Sequence, residues 1–202
     1  MKLYYAPGAC SLAPHIVAAE AGIPLQLERV DLGLRRTETG QDYAHINPKG
    51  YVPALQLDDG SVITEAGTLI QYLADQQAGG PLAPPPGSME RYRVLEWISF
   101  VATELHKGFG PLWNPKSTLE VRQAVKARLL QRFAFVDAGL ARTAFLTGTT
   151  FTVADAYLFT IVNWAPMHDI DLAPWPSLQS FMARVAARPK VQEAMRAEGL
   201  AK

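Results

Sequence analysis

The chain has little of three things that would quickly narrow its function: cysteine, net charge and long apolar runs. It has one cysteine among 202 residues, which excludes an internal disulfide framework and is typical of a reducing compartment. Lysine plus arginine and aspartate plus glutamate both number 19, so the formal net charge is zero and no basic excess favours a phosphate backbone. We therefore expect a cytoplasmic protein that does not bind nucleic acid.

The apolar stretches are too short to cross a membrane. The longest one, residues 154–167, is interrupted by Asp155, Asn163 and Pro166 and falls short of the roughly 20 residues that span a bilayer. Near the amino terminus, Pro7 breaks the apolar run before it reaches the roughly 7 to 15 residues needed in a signal peptide. We expect no membrane segment, and we predict a buried helix within residues 154–167.

The order of the predicted elements divides the chain into two parts. Strand and helix patterns alternate over the first 80 residues, whereas every later pattern has the helical period. Between them lies a segment rich in proline and glycine, which continues neither a helix nor a strand. We predict an α/β domain over residues 1–80, a linker over residues 81–87 and an all-helical domain over residues 88–202.

In the first part, local signals predict individual elements. Residues 3–6 and 25–30 have strand patterns on either side of a helix that runs from near Ser11 toward Gly22, since Pro14 fits only a first helical turn. The spacing of strand, helix and strand predicts a parallel pair. A hairpin turn is predicted at residues 58–60, and a second helix is predicted to open at Glu65.

In the second part, the signals are helical. The first long helix is predicted to begin at Met89 and to end at Pro111, and a second is predicted over residues 121–140. Thr152 and Asp155 have the spacing of a capping box, in which each side chain bonds the other's backbone N–H. Two further helices are predicted after Trp175 and after Arg188, because a proline follows each of these residues.

Cys10 is the first candidate for chemistry. It precedes the predicted first helix, where free N–H groups and the helix dipole stabilise a thiolate and lower the pKa of a thiol. The alternative is that Cys10 is a small buried apolar residue, the commonest fate of a free cysteine. The position three residues later is Ala13, so a second sulfur would have to come from outside, and glutathione is the natural supplier.

Motifs along the whole chain match one family. The two most specific are Pro7-Gly8-Ala9-Cys10-Ser11-Leu12 and Glu104-Leu105-His106-Lys107. The other matching segments are residues 1–5, 47–50, 52–55, 57–60, 64–65, 71–75, 152–159 and 197–200. On these segments the chain resembles bacterial glutathione transferases of the beta class.

The resemblance implies a fold, a co-substrate and an assembly. The fold is an α/β thioredoxin-like N-terminal domain that binds glutathione, followed by an all-α C-terminal domain that supplies a pocket for a second, hydrophobic substrate. Glutathione is then the co-substrate, and the protein is a homodimer. His15, His45 and His168 share no metal-ligand spacing, so no metal is assigned.

The resemblance also implies roles for residues of the first domain. Val52 and Pro53 would be joined by a cis peptide bond that lets the Val52 backbone pair with the tripeptide. Glu65 and Ala66 would hold the γ-glutamyl carboxylate at a helix N-terminus. Without the resemblance, Pro53 could simply start a strand and Glu65 could be an ordinary acid at a helix start.

Three positions depart from the pattern of the family. Ala66 replaces a frequent serine, so one hydroxyl contact is missing. Arg35 stands where lysine is frequent and keeps a positive charge for the glycyl carboxylate, with a different donor geometry. Ser99 stands where asparagine is frequent. These departures put individual hydrogen bonds in doubt and leave the pattern of charge intact.

The long helix of the second part contributes polar candidates. Ser99, Thr103 and His106 are spaced so that they share one face, which could line a polar cleft. By resemblance, His106 is a catalytic candidate beside Cys10 that tunes the thiol pKa. Otherwise it is a solvent-facing histidine near a helix end. We assign Lys107 no role beyond that of a cation near a helix end.

The reaction predicted by the resemblance is transfer of the glutathione thiol to a hydrophobic electrophile. Some of the aromatic residues Phe109, Trp113 and Trp164 are predicted to line the pocket for an aromatic or halogenated electrophile. Cys10 could form a mixed disulfide with glutathione, which favours reductase or dehalogenase turnover, or donate a hydrogen bond to the bound thiolate, which favours conjugation.

Two alternatives remain open from the sequence. Ser11 and Tyr5 are nearby hydroxyls that resemble the catalytic groups of other branches of the superfamily, and we rank them below Cys10. A non-catalytic dimeric scaffold or ligand-binding protein is the alternative function, since one fold hosts many functions.

Overall fold

Five strands of the described residues form a single mixed sheet. The computed structural model describes residues 1–77 and 80–201, so Ala78 and Gly79, next to the predicted linker, and Lys202 lie outside the described residues. The strands stand in the order β3-β2-β1-β4-β5. They are β1 (Lys2–Tyr5), β2 (Gln26–Asp31), β3 (Arg36–Thr37), β4 (Ala54–Gln56) and β5 (Val62–Thr64).

The pairing of the strands agrees with the predicted β-α-β unit and hairpin. β1 and β2 are parallel, with Leu3 opposite Leu27, and they are joined through a helix, α1 (Leu12–Ala21). β4 and β5 are antiparallel on either side of the predicted turn. Pro14 lies in the first turn of α1, and Gly22 ends the helix with φ 69°, a left-handed backbone that glycine adopts without strain. A second helix, α2 (Ala66–Asp75), starts directly after Glu65 and packs against α1.

From residue 89 onward the described chain is helical. Its α-helices are α3 (Met89–Phe100), α4 (Lys107–Trp113), α5 (Leu119–Leu140), α6 (Val153–Val162), α7 (Pro176–Ala186) and α8 (Pro189–Ala197). Residues Val101–His106 form a π-helical segment that joins α3 to α4. The predicted fold class, α/β followed by all-α, is confirmed, whereas the residue bounds of the two domains stay a prediction.

The predicted end of the first long helix is wrong. Pro111 lies inside α4, and the helix continues to Trp113. A proline inside a helix removes one backbone donor and either kinks or breaks the helix. Here Leu112, the residue after the proline, is buried in the core and secures the last turn.

Helix α6 is the centre of the helical half. All its residues are buried, as predicted for the longest apolar stretch, and it packs against α1, α2, α3 and α7. The predicted capping box is present at its start, with the Asp155 carboxylate accepting from the Thr152 N–H at 2.8 Å. The same carboxylate accepts from the Thr152 hydroxyl and from the Leu146 N–H. One apolar core runs through both halves of the chain.

Within residues 1–77 and 80–201, each helix is too short or too polar to cross a membrane.

Candidate active site

A cavity of about 950 Å³ lies between the sheet half and the helical half. Its wall combines the ends of β1 and β4, the start of α2 and one face of the helices from α3 to α4. The predicted site residues in this wall are Cys10, Val52, Pro53, Glu65, Ala66, Ser99, Thr103, His106, Trp113 and Trp164. The fold therefore brings residues that are far apart in sequence to one concave surface.

Cys10 lies at the wall of this cavity, before the first turn of α1, with 8% of its surface exposed. Its Sγ donates a hydrogen bond to the Val52 carbonyl oxygen at 3.2 Å. Burial raises the pKa of the Cys10 thiol to about 12, although the backbone N–H groups of Cys10 and Ser11 act in the opposite direction. Desolvation of the sulfur therefore outweighs the helix terminus in the free protein and opposes the predicted thiolate.

The loop before Cys10 is held by the helical half. The Gly8 N–H donates to Glu198 Oε2 at 2.9 Å, and the Gly8 carbonyl accepts from Trp164 Nε1 at 2.8 Å. Glu198 Oε1 in turn lies 2.9 Å from His15 Nδ1 on α1. Gly8 has φ 70°, a conformation that favours glycine. The two hydrogen bonds between the Gly8 backbone and side chains of the helical half thus fix the path of the chain toward Cys10.

Val52 and Pro53 are joined by a cis peptide bond, as the resemblance implies, and both line the cavity. Pro53 directly precedes β4. The turn leaves the Val52 carbonyl facing the Cys10 thiol, while a carbonyl oxygen keeps a second lone pair for another donor.

Glu65 is the residue before α2 and has φ 73°, a rare conformation outside glycine. Its Oε1 accepts from Lys49 Nζ and from the Tyr51 hydroxyl, both at 2.7 Å. These two bonds hold the pKa of Glu65 below its usual range, so the carboxylate is ionised at neutral pH. Directly after it, Ala66 and Gly67 line the cavity with the first backbone N–H groups of α2.

His106 lines the cavity at the end of the π-helical segment. Its Nδ1 lies 2.7 Å from the Tyr157 hydroxyl. Burial, together with the charge of Lys107, lowers the pKa of His106 to about 4, so the ring is neutral at pH 7. Burial raises the pKa of Tyr157, whose hydroxyl therefore keeps its proton and donates to the neutral ring. The hydrogen-bond partner of His106 is thus the Tyr157 hydroxyl, and its effect on the thiol stays a prediction.

Ser99 and Thr103 lie on the same face as His106, as their spacing predicts. The Thr103 hydroxyl donates to the Ser99 carbonyl at 2.9 Å, so it is oriented by its own helix.

The far end of the cavity is apolar. Trp113 and Trp164 meet edge to face with ring centroids 5.6 Å apart, and Met167 adds a flexible thioether. Phe109 is not in this wall. It is fully buried behind Trp164, with ring centroids 5.7 Å apart, and supports the indole from the core.

Arg35 is the other predicted residue that lies outside the cavity wall. It belongs to the exposed loop between β2 and β3, where the chain turns with φ 54° at this residue. Leu32 of the same loop does reach the cavity. The turn into β3 keeps the arginine in solvent, away from the wall.

The two hydroxyl residues ranked below Cys10, Ser11 and Tyr5, make contacts that stabilise the fold. Ser11 is fully buried. Its hydroxyl donates to the Ala6 carbonyl and accepts from the Ala6 N–H, both at 3.2 Å. Tyr5 packs against the His15 ring, and burial raises the pKa of its hydroxyl.

Sequence reasoning missed several residues of the cavity wall, and three of them carry polar groups that the site uses. Tyr51, Lys107 and Tyr157 all line the cavity. Lys107 Nζ lies 5.7 Å from the centre of the Tyr51 ring, so it brings a positive charge to the cavity. Tyr51 could have been noticed beside Val52, but Tyr157 lies in an apolar stretch that was read only as a buried helix, although residues 152–159 match the family.

In the described part of the chain, no cluster of three or more histidine, cysteine, aspartate or glutamate side chains is grouped as a metal ion requires.

Two family models match the chain. The glutathione S-transferase N-terminal domain matches residues 8–76, and the glutathione S-transferase C-terminal domain matches residues 100–189. Together they include both sides of the cavity.

Individual proteins agree with the family models over the full length. Glutathione S-transferase GstA of Escherichia coli O157:H7 is 46% identical over 99% of this chain and 100% of its own length. A sphingomonad glutathione S-transferase solved in complex with glutathione is 43% identical with a TM-score of 0.96, and both chains are fully covered. A beta-class glutathione S-transferase from Sphingomonas chungbukensis is 42% identical, with the same TM-score and the same coverage. The chain therefore belongs to the glutathione S-transferase family, within its bacterial beta class.

Proposed function

We propose that this glutathione transferase conjugates the thiol of glutathione to hydrophobic electrophiles, with Cys10 acting as a hydrogen-bond donor to the glutathione thiolate. The observation that carries the proposal is the Cys10 thiol, 3.2 Å from the Val52 carbonyl oxygen, at the wall of a cavity that is polar at one end and apolar at the other. A donor next to a developing thiolate stabilises it and raises its concentration at neutral pH.

The protonation state of Cys10 favours this role over the mixed disulfide. A thiol with a pKa near 12 has almost no thiolate at pH 7, and the thiolate is the species that attacks disulfides. The Cys10 S–H already donates to the Val52 carbonyl, and it can turn to a stronger acceptor when an anionic sulfur enters.

The polar end of the cavity fits the tripeptide. The Val52 backbone is the edge against which an extended peptide would pair. The first N–H groups of α2, on Ala66 and Gly67, suit a carboxylate, and Glu65 suits the amino group beside it. Lys107 supplies a positive charge on the opposite wall, a role that the resemblance gave to Arg35. Ser99, Thr103 and His106 complete this wall.

The apolar end fits the second substrate. Trp113, Trp164 and Met167 present two aromatic faces and one adaptable side chain, which suit a flat aromatic or halogenated molecule. Because Trp164 also bonds the Gly8 carbonyl, the electrophile pocket and the cysteine loop share a residue.

The test uses retention on immobilised glutathione, followed by conjugation of a chlorinated aromatic electrophile. We expect both for the wild type. Cys10→Ala should lower kcat/KM roughly tenfold, the effect of losing a hydrogen bond of about 1.4 kcal/mol to a charged group. Cys10→Ser keeps a donor and should retain most of the activity. Failure of the wild type in both assays would favour a ligand-binding scaffold.

Mass spectrometry after exposure to oxidised glutathione separates the two roles of Cys10. We expect little adduct in an hour at pH 7 in the wild type, and Cys10→Ser gives the background. Rapid and complete addition of one glutathione to Cys10 would favour the mixed-disulfide role instead.

We further propose that the protein is a cytoplasmic homodimer, as its single cysteine and its resemblance predict. Sedimentation velocity at micromolar concentration should give the mass of two chains. A single-chain mass there would contradict the dimer.

A further inference from the structure

The π-helical segment lies in the middle of the cavity wall. The Lys107 N–H bonds the carbonyl of Ala102, five residues earlier, instead of the usual four. π-helical turns are rare and are frequently found at functional sites. The Glu104-Leu105-His106-Lys107 motif covers the end of this segment and the first residue of α4, and Glu104 has no place in the site described above.

The wider turn changes which residues face the cavity. An α-helix rotates about 100° per residue, so two residues eight positions apart point about 80° away from each other. Bonds to the fifth residue back give a wider turn with less rotation per residue. Six residues in three adjacent pairs, four positions apart, accordingly line the cavity: Ile98 and Ser99, Ala102 and Thr103, His106 and Lys107.

Glu104 lies on the other side of the segment, facing α5. Its Oε2 accepts from Arg132 Nε at 2.7 Å and from Arg128 Nη2 at 3.0 Å. These bonds hold the pKa of Glu104 below its usual range, so it is ionised at neutral pH. The two arginines are one helical turn apart on α5, so together they define both the height and the rotation of the carboxylate.

The next turn is also close to α5. A Cβ built on Gly108 would lie 3.0 Å from Leu129 Cδ2, so α4 approaches α5 as near as a glycine allows. The segment is thus attached to α5 by an ion-pair cluster at Glu104 and by a tight contact at Gly108.

We propose that Glu104, held by Arg128 and Arg132, is a positioning residue that sets the rotation of the π-helical segment so that His106 and Lys107 both face the cavity. The inference rests on the proposed function, since that function makes this wall the glutathione site. Glu104 itself contacts neither substrate.

The test compares Glu104→Gln with the matched control Glu96→Gln. Glu96 is an exposed glutamate on α3 that pairs with Arg93 at 2.9 Å, and it lies outside the cavity. For Glu104→Gln we expect the KM for glutathione to rise about fivefold to tenfold while kcat falls less than twofold. The control should keep both constants.

The second readout is the pKa of His106, measured by NMR titration, which needs no turnover. Loss of the carboxylate acting only through charge would leave this pKa unchanged or lower it. Rotation of the segment would move the ring away from Tyr157 toward water, and the pKa should rise from about 4 toward the ordinary value. A rise supports the positioning role.

A charge exchange tests the geometry. Glu104→Arg combined with Arg132→Glu should recover at least half of the glutathione affinity lost in Glu104→Arg alone. If Glu104→Gln fails to fold, Arg128→Lys weakens only the longer pair, and it should shift KM and the His106 pKa in the same directions by smaller amounts.

The proposal is overturned if Glu104→Gln lowers Tm while the KM for glutathione and the His106 pKa stay at the wild-type values. That outcome would make the cluster a stabilising contact only. A wild type without glutathione turnover would contradict the proposed function instead, and the His106 titration would still report on the position of the segment.

Discussion

Cys10 is the residue whose chemistry depends most on its surroundings. With a pKa of about 12 in the folded chain, it should react with iodoacetamide at pH 8 at least about tenfold more slowly than free cysteine. Alkylation followed by mass spectrometry measures this rate, with Cys10→Ser as the blank. An alkylation rate equal to that of free cysteine, with its pH midpoint below 8.5, would support the activated thiolate instead.

The same shift has a consequence for stability at high pH. The folded pKa lies above the unfolded value, so the free energy of unfolding is unaffected below about pH 8.5 and falls as the pH rises toward 12.

His106 has a shift of the opposite sign. Its pKa is lowered to about 4, so between pH 6.5 and 4 the unfolded chain binds a proton that the folded chain does not. As the pH falls through this window, protonation of His106 in the unfolded chain should therefore lower the free energy of unfolding by an amount on the order of 3 kcal/mol. In urea titrations His106→Asn should flatten the pH dependence of the free energy of unfolding. An unchanged slope in His106→Asn would contradict the shift.

Among the helices and strands, α6 has the clearest local signal for its start, the capping box of Thr152 and Asp155. Thr152→Ala should lower the free energy of unfolding by about 1 kcal/mol without changing the affinity for glutathione, because the cap lies away from the cavity. Thr160→Val is the matched control, since it removes a buried hydroxyl that bonds the Ala156 carbonyl within the same helix. A Tm for Thr152→Ala equal to that of the wild type would count against the capping role.

The long helix after residue 89 is the element in which sequence patterns were least sufficient. Its start at Met89 follows a capping serine, Ser88, whose hydroxyl accepts from the Arg91 N–H. Its π-helical turn and its passage through Pro111 depend on contacts with α5 and with the core. Spacing alone placed Ser99, Thr103 and His106 on one face, and Lys107, whose N–H bonds the Ala102 carbonyl, lines the same cavity.

At the scale of the whole molecule, the two halves share one apolar core and a cross-connection at Arg188. The Arg188 guanidinium makes two bonds to Glu20 of α1, at 2.7 and 2.8 Å, and lies 4.1 Å from the centre of the Phe151 ring. All four tryptophans belong to the helical half, so their fluorescence reports on that half, while circular dichroism reports on both.

We expect urea unfolding transitions by these two probes to coincide in the wild type, because the core is continuous. Arg188→Lys, which loses the two-pronged bond and the flat stacking surface, should lower the free energy of unfolding by roughly 1 kcal/mol. Two separate transitions in the wild type would contradict a common core.

The sequence by itself determined most of the elements and ten residues of the cavity wall. Pro14, Gly22 and the Thr152–Asp155 pair act through neighbours within a few residues, so their effects can be seen in a linear pattern. The family motifs also pointed to Cys10, Glu65 and His106 in the cavity wall. The tertiary structure decided the protonation of Cys10, the place of Phe109 behind Trp164, the absence of Arg35 from the wall and the facing of Lys107. These properties depend on burial and on partners far away in the chain, and desolvation acts only after the two halves have packed together.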